Sequence, residues 1–136
     1  MTTTTRKPFN RLLLTGAAGG LGQVLREALQ AHANIVRESD ISPMAAAAGE
    51  HEQVINCDLA DKAGVLALAQ DVDAIVHLGG ISTERAFEEI LQANIVGTFH
   101  IYEAARKHGI KRVVFASSNH VTGFYPQGEQ VDAHSP

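Results

Sequence analysis

Apolar positions in this chain come in short runs, separated by segments in which they recur every three or four residues. The run Arg11 to Thr15 is short, apolar and followed by glycines, as a strand buried in a parallel sheet reads. Leu21, Val24, Leu25, Ala28 and Leu29 then fall at helical spacing on one apolar face. The segment therefore predicts a strand, a glycine-rich turn and a helix. Asn34 to Ser39 predicts a second strand and Gln53 to Cys57 a third. Asp61 is placed to cap a helix that presents Val65, Leu68 and Ala69. Asp73 to Leu78 predicts a fourth strand. A long helix follows from about Arg85 to His108, stopped by Gly109, and Arg112 to Ser117 supplies a fifth, β-branched strand. Ser42 to Gly49 stays open between a loop and a weak helical turn, and no periodicity is visible from Ser118 onward.

Strands that alternate with helices, without hairpin signals, predict a parallel sheet covered on both faces. The expected fold class is α/β, a Rossmann-type doubly wound parallel sheet with strand order 3-2-1-4-5, ending before the last strands of such a sheet. Residues 1–10 are expected to be a flexible N-terminus and residues 11–136 one incomplete nucleotide-binding domain. With 136 residues and 45% hydrophobic content, one core is the default.

A net charge of −4 with no clustered Lys/Arg run argues against nucleic acid or an anionic membrane as a partner. Cys57 is the only cysteine, which excludes a disulfide within the chain and fits a reducing, cytoplasmic setting. The apolar stretch Leu12 to Leu14 is too short for a signal-peptide core, and no window approaches a membrane span. No two of the seven histidines show metal-ligand spacing with carboxylate partners, so no metal is expected. A small-molecule ligand remains.

The strongest chemical signal is Thr15-Gly16-Ala17-Ala18-Gly19-Gly20-Leu21-Gly22 between the first strand and helix. A dinucleotide-binding turn needs glycine where the chain bends sharply, where backbone approaches the pyrophosphate and where helix packs on strand. Gly16, Gly19 and Gly22 can fill these roles, and Gly20 adds backbone freedom. Ala18 and Leu21 complete the turn, which leads into a helix whose free N–H groups and positive dipole end face the phosphates. The spacing is G-x-x-G-x-x-G, and a purely structural strand-to-helix connection can use the same residues.

Asp40, just past the second predicted strand, sits where a carboxylate accepts from the adenosine ribose hydroxyls and repels a 2′-phosphate. This favours NAD. Arg37 is close enough in sequence to keep NADP open, and an N-cap or turn carboxylate is the plainer reading of Asp40.

The glycine turn, Cys57-Asp58-Leu59, His77-Leu78-Gly79-Gly80, Asn94-Ile95-Val96-Gly97-Thr98 and Ala116-Ser117-Ser118 together resemble the extended short-chain dehydrogenase/reductase family. Within it, His77 to Ser82, Phe115 to His120 and Gly123-Phe124-Tyr125 are most similar to the bacterial branch that oxidises uronates. The resemblance implies that Asp58 and the Leu59 amide contact adenine, with a helix-capping Asp58 the alternative, and that Leu78, Gly79 and Gly80 pass close to the cofactor ribose. It implies Ser118 as the catalytic serine and Asn94 as part of a proton relay, although a core asparagine bonded to backbone is equally open. Ser82, Asn119 and His120, with Ser118, would contact the sugar acid; turn formation is the alternative for the first three. His77 reads as structural, and Gly97 suggests close packing or a cofactor contact.

The implied activity is NAD-dependent oxidation of glucuronate or galacturonate at C1 to the aldarolactone. A nucleotide-sugar epimerase or dehydratase of the same family is the rival within enzymes, and a non-catalytic dinucleotide-binding module the rival outside them. A homo-oligomer is compatible with either. The family's proton acceptor is a tyrosine followed four residues later by a lysine; here Tyr125 is followed by Glu129 and no lysine comes after Ser118. The chain is accordingly expected to be a piece of a longer enzyme, and inactive by itself.

Overall fold

The computed structural model describes residues 6–135. Five parallel strands, β1 (Phe9–Thr15), β2 (Ala33–Asp40), β3 (Glu52–Asn56), β4 (Ala74–His77) and β5 (Val113–Phe115), form one sheet in the order β3-β2-β1-β4-β5. This is the strand order expected from the sequence. β1 begins at Phe9, inside the stretch expected to be flexible, because Phe9 pairs with Ala33 and the Asn10 and Arg11 N–H groups donate to Asp73 at 2.7 and 2.8 Å. Residues 1–5 lie outside the described residues. No helix or strand forms between Asp40 and Glu52, so the alanine-rich segment is a loop.

The leucines of β1 alternate between two cores, as the two-residue period of a strand requires. Leu13 joins Ile75, Val65, Leu68, Ala69, Ile101, Ala104 and Ala105 on the face covered by α2 (Lys62–Leu68) and α4 (Gly97–His108). Leu12 and Leu14 join Ala17, Ala33 and Val36 on the face covered by α1 (Gly20–Ala28). Asp61 caps α2 through its side chain, which accepts from the Ala63 and Gly64 N–H groups at 3.0 and 3.1 Å. Gly109 ends α4 in the left-handed conformation, φ +70°.

The helical face expected for α1 is only half right. Leu25 and Leu29 pack on the core, but Leu21 and Val24 are 59% and 66% exposed and Ala28 is exposed as well. Gly22 is the cause: its backbone lies directly on Gly16 and Ala17, so α1 leans on the Gly22–Leu25–Leu29 edge and turns Leu21 and Val24 outward. Arg26, on the same side of α1, pairs with Glu38, whose side chain is fully buried on β2.

The long helix also departs from regularity. α3 (Phe87–Ile90) and α4 are joined by a π-helical stretch, Leu91–Val96, which changes the phase of the side chains that follow. An unbroken α-helix over this stretch would set Phe87 on one face with Leu91, Asn94 and Thr98, yet Phe87 is 65% exposed while the other three are half-buried.

Candidate functional site

The carboxyl ends of β1, β2, β3 and β4 open on a cleft of about 400 Å³. Such a crevice, at the point where strand order reverses, is where open α/β sheets bind ligands. Its lining brings together Gly16, Gly19, Gly20, Leu21, Gly22, Asp40, Asp58, Leu59, Leu78, Gly79, Gly80 and Ser82, residues spread over nearly half the chain. The site is thus assembled by topology from four strand ends.

The floor is the glycine turn. Gly16 has φ +72°, and a Cβ there would stand 2.7 Å from the Leu78 carbonyl carbon and 2.8 Å from the Gly79 nitrogen. No side chain fits between the β1 and β4 turns. At Gly22 a Cβ would meet the Gly16 oxygen at 2.1 Å, whereas Gly20 faces open space. Gly16 thus makes the sharp bend and Gly22 the close packing, while Gly20 has more open space beside it than Gly19. α1 begins at Gly20 without a side-chain cap, so the N–H groups of its first turn are free for an anion.

Asp40 combines a turn role with a place at the cleft, the two readings the sequence left open. Its Oδ1 accepts from the Ser42 N–H at 2.9 Å, a turn-type bond, and its Oδ2 accepts from the Ala18 N–H at 3.0 Å. Ala18 itself does not line the cleft; its N–H is committed to Asp40. A carboxylate has about four acceptor positions, so about two remain for ribose hydroxyls. Asp58 makes a similar turn, accepting from the Ala60 N–H at 2.8 Å, and lines the cleft.

Arg37 points away from the cleft. Its guanidinium donates to the Leu68 and Gln70 carbonyls at 2.6 and 2.8 Å and to Gln53 at 3.0 Å, on the opposite face of the sheet. A strand's alternation separates it from Asp40. It is not positioned to receive a 2′-phosphate, which removes the sequence's one reason for keeping NADP open.

Leu59, whose amide the resemblance assigns to adenine, also acts as a packing wedge through its side chain. It stands against both Gly79 and Gly97, where an added Cβ would lie 2.7 Å from its Cδ1 and Cβ respectively, and its carbonyl lies 2.8 Å from His100 Nδ1. Gly97 is explained by this packing. Asn94 is bonded to backbone at both ends of its amide: Oδ1 accepts from the Ile81 N–H at 2.7 Å and Nδ2 donates to the Ile81 carbonyl at 2.8 Å. The π-helical stretch turns it there, and it holds the cleft wall from behind.

Ser118, Asn119 and His120 lie beyond β5, outside the cleft lining, which reaches only Ala116 in that segment. Ser118 caps a single 3-10 turn, its Oγ accepting from the His120 N–H at 3.1 Å and lying 3.0 Å from His120 Nδ1. All three are exposed.

Sequence reasoning passed over Thr15, the bonds of His77, and Thr98. His77 is fully buried, with Nδ1 2.7 Å from Thr15 Oγ1 and Nε2 3.2 Å from Thr98 Oγ1, and stacks on Phe115. Burial pushes its pKa down from 6.5 to about 4. The unfolded chain takes a proton on this imidazole near pH 6.5, while the folded chain refuses it until about pH 4. Stability is therefore fully present above pH 6.5 and falls toward pH 4, by roughly 3 kcal/mol. Urea unfolding as a function of pH should show this share of the acid sensitivity in the wild type and its absence in His77→Gln.

Among the described residues no group of three His, Cys, Asp or Glu could hold a metal ion, and no helix is long and apolar enough to cross a membrane. The family model for the NAD dependent epimerase/dehydratase family matches residues 12–136. The chain belongs to that family. A uronate dehydrogenase of Pseudomonas putida is 70% identical over the whole chain, which covers 50% of that protein. A mutant uronate dehydrogenase of Agrobacterium tumefaciens, solved in complex with NAD, is 54% identical at a TM-score of 0.87, over 94% of this chain and 48% of that one. A glucuronic acid dehydrogenase of Chromohalobacter salexigens is 52% identical at a TM-score of 0.87, over 93% of this chain and 47% of that one. The chain spans about half the length of the curated relatives it matches.

Proposed function

We propose that the cleft binds NAD, and that this chain is the dinucleotide-binding half of a cytoplasmic enzyme that oxidises a hexuronate, glucuronate or galacturonate, at C1 to the aldarolactone. The observation that carries the NAD reading is Asp40, a carboxylate at the end of β2 joined to the glycine turn and facing the cleft, with Arg37 turned to the other side of the sheet. The uronate reading is supported by 70% identity to a uronate dehydrogenase across all 136 residues.

The residues fit the cofactor part by part. The first turn of α1 takes the pyrophosphate, Asp40 the adenosine ribose, Asp58 and the Leu59 amide the adenine edge, and Leu78 to Gly80 the second ribose. Bound NAD would supply a hydride acceptor. On the substrate side, Ser82 reaches the cleft directly, and Ser118 orients the reacting hydroxyl, with Asn119 and His120 beside it for the sugar's other polar groups. Asn94 contributes through its hold on Ile81. The proton acceptor is not among these residues, since Tyr125 is followed four positions on by Glu129.

The test is a pair of measurements. The 136-residue chain, titrated with NAD by calorimetry, should bind it and prefer it to NADP, yet form no NADH with glucuronate or galacturonate. A protein extended to the relatives' full length should form NADH with one of them. If the chain shows no NAD binding, the cofactor reading is wrong. Binding with inactivity of the extended protein would favour a non-catalytic dinucleotide-binding module.

A further inference from the structure

Resting on the NAD reading above, we propose that Thr15, His77 and Thr98 form a buried positioning relay of fixed proton direction, which sets the cleft wall Gly79 to Ser82 against the glycine turn.

The direction follows from the donors. The Gly79 N–H donates to Thr15 Oγ1 at 3.2 Å. The threonine hydroxyl then directs its own proton to the nearest acceptor, His77 Nδ1 at 2.7 Å. Nδ1 is therefore bare and the proton of the neutral ring is on Nε2, which donates to Thr98 Oγ1 at 3.2 Å. The depressed pKa of the imidazole keeps the ring neutral across the physiological range, so this direction does not reverse there.

Each end of the relay holds a part of the cleft. Thr15 immediately precedes Gly16, the residue on which the β1 and β4 turns meet without room for a side chain, and the Thr15 carbonyl also accepts from the Leu78 N–H at 3.2 Å. Thr98 lies one helical turn beyond Asn94, whose amide grips Ile81 on both backbone atoms. The wall is thus fixed at Gly79 from β1 and at Ile81 from the helix. His77 is the side chain that joins these two supports, because from the end of β4 it reaches Thr15 on the neighbouring β1 and Thr98 on α4. A hydrophobic residue of similar volume would fill the space and leave the two supports independent. His77 is a positioning residue in this scheme, as it touches neither cofactor nor substrate.

Three variants of the 136-residue chain separate this from a merely structural role. Nitrogen-15 NMR of the imidazole should show His77 in the Nε2–H form in the wild type and in Thr15→Ser, and a loss of that fixed form in Thr15→Val. Amide hydrogen exchange at Gly79 should quicken in Thr15→Val by about tenfold, the worth of one hydrogen bond, and stay within about twofold in Thr15→Ser. NAD affinity should fall about tenfold in Thr15→Val and recover in Thr15→Ser. Thr98→Val should quicken exchange at Ile81 and, because His77 joins the two supports, also at Gly79, though less than Thr15→Val does; an effect confined to Ile81 would overturn the relay. An Nδ1–H tautomer in the wild type overturns the relay, and so does a folded Thr15→Val with unchanged Gly79 exchange. The tautomer and exchange measurements need no cofactor: if the wild type fails to bind NAD while both behave as expected, it is the NAD reading that fails and the relay that stands. Should Thr15→Val not fold, the wild-type tautomer and the Thr98→Val exchange pattern decide the matter.

Discussion

Gly22→Ala should destabilise the chain by about 3 kcal/mol or more and abolish measurable NAD binding, the largest effect expected of any single methyl group in this protein. The added Cβ would stand 2.1 Å from the Gly16 oxygen and 2.8 and 2.9 Å from the Ala17 Cα and carbonyl carbon. All three are backbone atoms, so no side chain can swing aside, and either α1 or the glycine turn must move. If α1 lifts, Leu25 and Leu29 lose their packing on Leu12, Leu14 and Val36, and the buried Glu38 loses Arg26. If the turn moves, the helix's free N–H groups no longer converge on the cleft floor. Gly20→Ala is the control. Its Cβ would meet nothing within 4 Å, and alanine is the better helix former, so stability should be unchanged or rise by up to about 1 kcal/mol. Urea unfolding of the three proteins with parallel NAD titrations checks both halves. Gly22→Ala with wild-type stability and affinity would show that α1 does not sit on Gly16 as described.

Residues whose role is set by neighbours in the sequence are legible there, and residues whose role is set by partners far along the chain are not. The Asp61 cap and the Gly109 stop are local devices, and the five strand runs and their order follow from short-range patterning combined with topology rules. The glycine turn is local too. Arg37 can be placed three residues from Asp40, but its partners cannot be named, because two of them are carbonyls at the end of α2. Leu21 and Val24 obey the helical period, yet the close approach at Gly22 tilts the helix away from them. The π-helical stretch inserts a phase change that a constant period of 3.6 cannot carry, which is why that period groups the exposed Phe87 with the half-buried Leu91, Asn94 and Thr98. His77 shows the limit most clearly: its two partners are 62 positions before it and 21 after it, and nothing in a lone histidine within an apolar run announces either bond.

Asp40→Ala should weaken NAD binding by on the order of a hundredfold to a thousandfold while leaving NADP binding little changed, so that the preference between them collapses. The losses for NAD add in the same direction. Hydrogen bonds from the ribose hydroxyls to a charged acceptor are worth about 1.5 to 3 kcal/mol each, and the acceptor positions left on Asp40 would be lost. The Ala18 and Ser42 N–H groups lose their partner, which unties the glycine turn from β2. Ala17 remains bonded to the Ser39 carbonyl at 3.1 Å, so the turn loosens rather than unfolds. For NADP the same loosening is offset by the removal of a negative charge that repels the 2′-phosphate. Preference does not invert, because Arg37 is held on the far face by two carbonyls and cannot rotate through the sheet to meet a phosphate. Inversion should require a new cation: Ile41 follows Asp40, lines the cleft and is 64% exposed, so Asp40→Ala combined with Ile41→Arg should bind NADP more tightly than NAD. Calorimetric titration of the wild type and both variants with each cofactor measures every one of these affinities. Equal NAD affinity in the wild type and Asp40→Ala would remove Asp40 from the cofactor site, and a single variant that already prefers NADP would place an unrecognised cation, such as Arg37 in another orientation, beside the ribose.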